Sequence, residues 1–283
     1  MRPASQRDVP AAMKRSPLAH RSAGAGPPLL LINGELMSMA SWQPIASALE
    51  ARFTVHRCDL RGQLLSPGSP FPRLSGHLPD LVGLLDAAGV AQTHVVGTSC
   101  GALIGLLLAA THPSRVQSVA AVAATERITP EAWQAMRPVL DACDAAGAGS
   151  GEDCGRVFDL LVPATFSPRY VNGHATELAE RRGQIAALPH AWFIGLAGLL
   201  RSLEGVDLTL ALPQIRCAAL VVAAADDLTF PPERSSALAA EIPNATLEIV
   251  AESGHALVAE RPEALLELLQ AFLARIGPQK GPA

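Results

Sequence analysis

The sequence predicts an α/β protein: a mostly parallel sheet flanked by helices, with an all-helical insertion. Three observations carry that reading. Short apolar runs alternate with amphipathic stretches of about ten residues, the signature of strand–helix units. The alternation breaks once, between residues 125 and 207, and then resumes. The chain of 283 residues is 49% hydrophobic and only 17% charged, which gives ample material for a buried core and too little charge for a disordered chain. Strands that alternate with helices pair in parallel through right-handed crossovers, which puts helices on both faces of the sheet.

The elements follow in order. Residues 1–17 read as a flexible arm, residues 18–22 as a short strand, and 23–28 as a Gly-Pro turn. Pro28-Leu-Leu-Leu-Ile32 is an uninterrupted apolar run of the kind found inside a parallel sheet. Residues 41–50 place Trp42, Ile45, Ala46 and Leu49 at helical spacing, with Ser41 as N-cap. Strand character returns at 53–58, helix at 78–88, strand at 94–96, helix at 101–110 and strand at 116–123. The segment 125–207 has helical but no strand character and contains the loose stretch 145–155. Strands at 218–223 and 246–250 and helices at 232–241 and 262–276 complete the chain. The expected organisation is an α/β core over 18–124 and 208–283, with a helical cap over 125–207 lying across the carboxyl edge of the sheet.

Composition excludes several function classes. A net charge of -4 argues against a nucleic-acid partner, which needs a basic face. Five cysteines are too few and too scattered for a disulfide framework, so reduced thiols and a cytoplasmic location are expected. The N-terminal residues are polar and carry no apolar signal core, and the longest apolar runs, 101–110 and 217–225, are too short to span a bilayer.

The sharpest local signal is Gly97-Thr98-Ser99-Cys100-Gly101, a G-x-S-x-G sequence lying between a strand and a helix. So tight a turn exposes the serine hydroxyl at a helix N-terminus, and the flanking glycines allow backbone to approach closely. A serine nucleophile needs a base. His255, in Glu252-Ser253-Gly254-His255 between the last strand and the last helix, reaches the same sheet edge. His56 and His94 lie inside strands and read as structural. His20, His77, His112, His174 and His190 have no special context. The acid belongs at a strand end between serine and histidine, where Asp226 and Asp227 stand side by side; Glu126, after the strand that follows Ser99, is a further option.

With these residues in place, the chain resembles the α/β-hydrolase superfamily in its single-domain, cap-bearing branch. The likeness runs from residue 18 to residue 273 and is thinnest over the cap. It rests on Asn33-Gly34, Trp42, Asp59-Leu60-Arg61-Gly62, the Ser99 turn, an acid followed by Pro231, Gly254-His255 and Glu260-Arg261-Pro262, in the family's order of Ser, Asp and His. The family's spacing of small residue, acid and proline fits Ala224, Asp227 and Pro231, and so implies Asp227 as the triad acid, with Asp226 second. The resemblance also implies an oxyanion hole from the backbone N–H groups of Glu35 and Cys100, and no metal or organic cofactor. Cys100 then needs only to be small. The family's usual His-Gly after the first inner strand is Asn33-Gly34 here, which is similar to enol-lactonases of aromatic breakdown and to acyltransferases that make rhamnolipid precursors. The family's usual Gly-x-Gly-x-Ser is Gly62-Gln63-Leu64-Leu65-Ser66 here.

A serine at this turn implies acyl transfer from an ester, lactone, thioester or activated ketone. The expected activity is hydrolysis of a small, fairly hydrophobic carboxylic ester or lactone by Ser99, His255 and Asp227. An acyltransferase on the same triad and a catalytically silent ligand-binding protein are the alternatives. The stripe Trp192, Phe193, Leu196, Leu199 and Leu200, and Phe158, Leu161, Phe166 and Tyr170, read as cap packing or as the wall of an apolar acyl pocket; Trp192, Phe193 and Phe158 are taken as pocket candidates. Gly147–Gly151 reads as a cap loop, since no phosphate-binding sequence follows it. Cys143 and Cys154 flank that loop and read as free thiols. The only partner expected is the small-molecule substrate, and nothing in the sequence speaks to oligomeric state.

Overall fold

The computed structural model describes residues 18–276 except 67 and 69; the proposed arm at 1–17 lies outside the described residues. Seven strands form one sheet: β1 (His20–Ala23), β2 (Pro28–Ile32), β3 (Thr54–Cys58), β4 (Thr93–Thr98), β5 (Val116–Val122), β6 (Ala218–Ala224) and β7 (Ala245–Val250). Their spatial order is β1-β3-β2-β4-β5-β6-β7. β1 runs antiparallel to β3, and every other neighbouring pair is parallel.

Period-two alternation divides the core between the two faces of this sheet. Leu30 and Ile32 of β2 and Val95 of β4 pack under α2 (Leu78–Ala87) and α3 (Cys100–Thr111). Leu29, Leu31 and Val96 face α1 (Gln43–Leu49) and the C-terminal α11 (Pro262–Ile276). Two further helices complete the resumed pattern, α9 (Pro232–Ala240) and the single turn α10 (Leu257–Glu260).

Between β5 and β6 the chain forms α4 (Pro130–Gly147), α5 (Gly151–Thr165), α6 (Pro168–Gly173), α7 (Ala175–Ala186) and α8 (His190–Arg201). It leaves and returns through a short antiparallel bridge at Arg127 and Asp207. There the Ile128 N–H donates to the Val206 carbonyl and the Leu208 N–H to the Glu126 carbonyl, both at 2.8 Å.

Two local expectations are corrected. The stretch 145–155 is not loose: α4 runs to Gly147, and α5 starts at Gly151 with Glu152 and Asp153 in its first turn. Those two carboxylates favour a helix N-terminus despite the glycines. Ser41 does not cap α1. It lies in a 3-10 turn, Met39–Trp42, where its Oγ accepts the Ser38 N–H, and α1 begins at Gln43 with Pro44 in its first turn. A proline in that turn lacks only an N–H that no helical carbonyl could have received.

His77, which the sequence leaves without context, is fully buried with both ring nitrogens unpaired and packs edge-on to Phe71. Burial, aided by the charge of Arg61, pushes its pKa down to about 4. The ring is therefore neutral near pH 7 and serves as packing.

The helical segment meets the core through backbone. A Cβ on Gly195 of α8 would lie 1.9 Å from the Gly62 carbonyl oxygen, so α8 approaches the loop after β3 more closely than any side chain allows. Gly195→Ala should therefore lower the unfolding free energy by about 1–3 kcal/mol. Gly183→Ala, on the open face of α7 where a Cβ meets nothing within 4 Å, should raise it by about 1 kcal/mol. Denaturant unfolding of the two variants side by side checks both signs.

Candidate active site

In a parallel sheet, all the loops that leave the carboxyl ends of the strands gather on one edge. The loops after β2, β4, β6 and β7 do so here, and each carries one part of the site.

The loop after β4 carries Ser99, whose φ of 53° and ψ of -126° lie in a region that non-glycine residues avoid. The turn can close because its neighbours lack side chains. A Cβ on Gly97 would stand 2.2 Å from the Gly101 carbonyl oxygen, and one on Gly101 would stand 2.4 Å from that of Asn33. α3 starts at the next residue, so its N-terminus points at the serine.

The loop after β7 brings His255 to the same point. Its Nε2 lies 2.8 Å from Ser99 Oγ, and its Nδ1 lies 2.8 Å from Asp227 Oδ2. A carboxylate can only accept, so Nδ1–H donates to it, and Nε2 is left to accept the Ser99 hydroxyl proton. Asp227 is buried, and its other oxygen, Oδ1, accepts the N–H groups of Thr229 and Phe230 at 2.8 Å each. Asp226 faces solvent. Glu126 is buried elsewhere, bonded to Thr125 at 3.1 Å and paired with Arg234 at 2.8 Å. Of the three carboxylates, Asp227 alone meets the imidazole.

The loop after β2 places Gly34 against Ser99: a Cβ on Gly34 would touch Ser99 Cβ at 3.4 Å. Among the described residues, neither the Glu35 N–H nor the Cys100 N–H is bonded to a protein acceptor, so both remain available beside the serine. The Cys100 side chain is buried, with its Sγ 3.8 Å from the Asn33 carbonyl. Burial, reinforced by the Glu35 carboxylate, pushes its thiol pKa well up, so it stays protonated and unreactive.

A buried polar network that the sequence did not single out holds this loop. Asn33 Nδ2 donates to Asp59 Oδ1 at 3.2 Å and to Gln63 Oε1 at 3.1 Å, while its Oδ1 accepts the Trp42 indole N–H at 2.9 Å. Gln63 Nε2 then donates to the carbonyls of Gly34 at 2.7 Å and Glu35 at 3.3 Å. Asp59 also accepts the N–H groups of Met39 at 2.6 Å and Leu65 at 3.0 Å. Gln63 fills an unspecified position of the family's Gly-x-Gly-x-Ser, and its role depends on partners about thirty residues away in sequence.

Beside Ser99 lies a cavity of about 700 Å³, walled in part by the helical segment. Met136 and Val139 of α4, Phe158 and Leu161 of α5, and Leu196 and Leu200 of α8 form much of its wall. Phe158 and Phe166 line the cavity, whereas Tyr170 does not. Trp192 and Phe193 are also outside the wall. They occupy the start of α8, where Phe193 is fully buried with Trp192 edge-on at 5.0 Å. Leu196 and Leu200, one and two turns further on, reach the cavity instead. No group of three or more His, Cys, Asp or Glu side chains among the described residues could hold a metal. All five cysteines are free, and no single described helix is long and apolar enough to cross a membrane.

Comparisons with known proteins bear on the fold and the family. The sequence pattern of the alpha/beta hydrolase fold matches residues 27–142. A Caulobacter vibrioides protein assigned provisionally as carbamate hydrolase RutD is 31% identical over 247 residues, covering 87% of this chain and 89% of its own. The pimeloyl-(acyl-carrier protein) methyl ester esterase of Stenotrophomonas maltophilia is 30% identical over 261 residues, covering 91% and 97%. The crystal structure of an enol-lactonase from Burkholderia xenovorans superposes with a TM-score of 0.80 at 27% identity, over 91% of this chain and 96% of that one. The chain belongs to the α/β hydrolase fold family, and it is a hydrolytic enzyme of that family.

Electrostatics around His255 oppose one another. Burial pushes the imidazole pKa down, but the charge and hydrogen bond of Asp227, with a further push from Glu35, outweigh it and hold the pKa above the ordinary histidine value. An NMR titration should place His255 above a free histidine. Glu35→Gln should lower its pKa and Asp227→Asn should lower it further, because each removes a negative charge that favours the imidazolium.

Proposed function

We propose that the protein hydrolyses a small, fairly hydrophobic carboxylic ester or lactone through an acyl-enzyme. The observation that carries this reading is the unbroken hydrogen-bond chain from Asp227 through His255 to Ser99 in the wall of an apolar cavity. The names of the relatives, a carbamate hydrolase, a methyl ester esterase and an enol-lactonase, share attack on an acyl carbon and point the same way.

Ser99 Oγ adds to the carbonyl carbon while its proton passes to His255 Nε2. The carbonyl oxygen gains negative charge and is held by the N–H groups of Glu35 and Cys100. The tetrahedral intermediate collapses, the C–O bond to the alcohol breaks, and His255 returns the proton to the leaving oxygen. In a lactone that oxygen stays tethered to the acyl chain. Water then adds to the Ser99 ester and gives its proton to His255. The acid departs, and the proton returns to Ser99. Asp227 fixes the imidazole's tautomer and stabilises its positive form throughout. The residues 125–207 act as a cap whose apolar wall favours a hydrophobic acyl chain, the largest part of such a substrate to be withdrawn from water.

Ser99→Ala and His255→Ala should each cut turnover of p-nitrophenyl esters by about 10⁴- to 10⁶-fold while the fold survives. Asp227→Ala should do comparable damage and Asp226→Ala little. A fluorophosphonate probe should label Ser99, and a greater loss from Asp226→Ala would reassign the acid. His255 must be neutral to accept a proton, and its pKa is raised. The acid limb of kcat/KM should therefore fall at a higher pH than an ordinary histidine would give.

A further inference from the structure

Two adjacent arginines on α7 have different surroundings. Arg182 is bound in a fork by Asp159 of α5, Nε to Oδ1 at 2.7 Å and the terminal nitrogen to Oδ2 at 2.8 Å. Arg181, about 100° around the helix, is half-buried and belongs to the wall of the cavity beside Ser99. Among the described residues it has no ion-pair or hydrogen-bond partner. Glu177, one turn earlier on α7, lies instead 3.9 Å from His174.

Apart from His255, the described residues of the cavity wall include two ionisable side chains, and they differ in sign and in place. Arg181 enters from α7, which packs on α5 and α6 in the outer helical layer. Glu35 enters from the sheet edge, in the loop that packs on Ser99. Its carboxylate lies near enough to His255 and Cys100 to act on both. The rest of the wall is largely apolar. A negative group on a bound molecule is therefore repelled at the reacting end and attracted at the other. Between them, an apolar chain gains from burial.

From this polarity we propose that the cavity selects esters or lactones that carry a carboxylate remote from the scissile carbonyl, and that Arg181 is the specificity-determining residue that receives it. The proposal rests on the Ser99 acyl-hydrolase reading and deepens it. A guanidinium offers a planar pair of donors that matches a carboxylate. In surroundings poor in water, such a pair is stronger than on an open surface. Glu35 adds direction by penalising the reversed pose, in which the carboxylate would sit beside His255. The carboxylate can belong to the acyl chain or to the leaving alcohol, and the two give different products.

The test compares matched substrates on the full-length enzyme. One pair is the p-nitrophenyl monoester of a straight-chain dicarboxylic acid and its neutral analogue, in which the distal acid is a methyl ester. The second pair places the carboxylate on the alcohol of an acetate ester, again with a methyl-capped control. The charged member of at least one pair should have the higher kcat/KM, through KM, and the advantage should shrink as salt is added. Arg181→Gln should reduce the charged-to-neutral ratio by about 10- to 100-fold. Arg181→Lys should keep part of the ratio, and Arg181→Glu should bring it below one. The pair that responds identifies which side of the scissile bond carries the acid. If neither charged ester is preferred, or if the ratio is the same in Arg181→Gln, the proposal is overturned, while Ser99-dependent hydrolysis of the neutral esters leaves the acyl-hydrolase reading standing. Loss of neutral-ester hydrolysis in the unaltered enzyme would remove both.

Discussion

The site depends on backbone approaching backbone where no Cβ can intervene. Gly97 lies against Gly101, and Gly101 lies against the carbonyls of Ile32 and Asn33. These contacts lock the turn at Ser99 to the end of β2. The strained serine and the free N–H groups of Glu35 and Cys100 thus form one rigid unit and not three loops that must find one another. Strain at Ser99 persists because its surroundings over-determine it: its own N–H donates to the Val122 carbonyl of β5 at 2.9 Å, and its carbonyl accepts from Ala102 at 2.9 Å in the first turn of α3.

The buried network around Asn33 extends that rigidity in a second direction. Asp59, Gln63, Asn33 and Trp42 come from two loops and a 3-10 turn, yet each satisfies another within the protein interior. A fully satisfied buried network is stiff, because any movement leaves a desolvated polar atom unpaired. Gln63 is the link that reaches the backbone of Gly34 and Glu35. An Asn in place of the family's usual His is thereby accounted for: its amide supplies two donors and one acceptor to three side chains, which a neutral imidazole, with one donor and one acceptor, cannot do.

How much of this was legible in the sequence divides along a physical line. Strands and core helices follow from local periodicity, and β2 and α11 begin and end where the apolar pattern does. Ser99, Asp227 and His255 were legible because each lies directly after a strand in a recognisable run, and parallel pairing brings such loops to one edge. The choice between Asp226 and Asp227 needed a family spacing, since adjacent carboxylates look alike until one is buried against Thr229 and Phe230. The bonds of Gln63 and the places of Arg181 and Glu35 in the cavity wall were not legible, because each depends on groups distant in the chain. Within 125–207 the helices were visible only as a class. Pro138 and Pro163 lie inside α4 and α5, positions that sequence reasoning takes for helix ends, and Trp192 and Phe193 follow the apolar stripe of α8 yet sit too early on it to reach the cavity.

The helical segment is also joined to the loop that bears the histidine. Glu260 accepts the Ser167 N–H at 3.0 Å, the Ser167 hydroxyl at 2.6 Å and the Gly254 N–H at 3.2 Å. The Ala256 N–H donates to the Thr165 carbonyl at 2.8 Å, and Thr229 Oγ1 donates to that of Ala164 at 3.0 Å. The C-terminal end of α5 is therefore bonded on one side to the loop of His255 and on the other to the loop of Asp227. Phe158 and Leu161, which line the cavity from α5, inherit a fixed position relative to the reacting groups. Side chains along α4, α5, α7 and α8 can then vary in size and charge without loosening the hydrogen bonds at Ser99. A fixed chemistry and a variable wall can in this way coexist in one chain: the first is held by backbone contacts at the sheet edge, and the second lies on helices joined to it by a few hydrogen bonds.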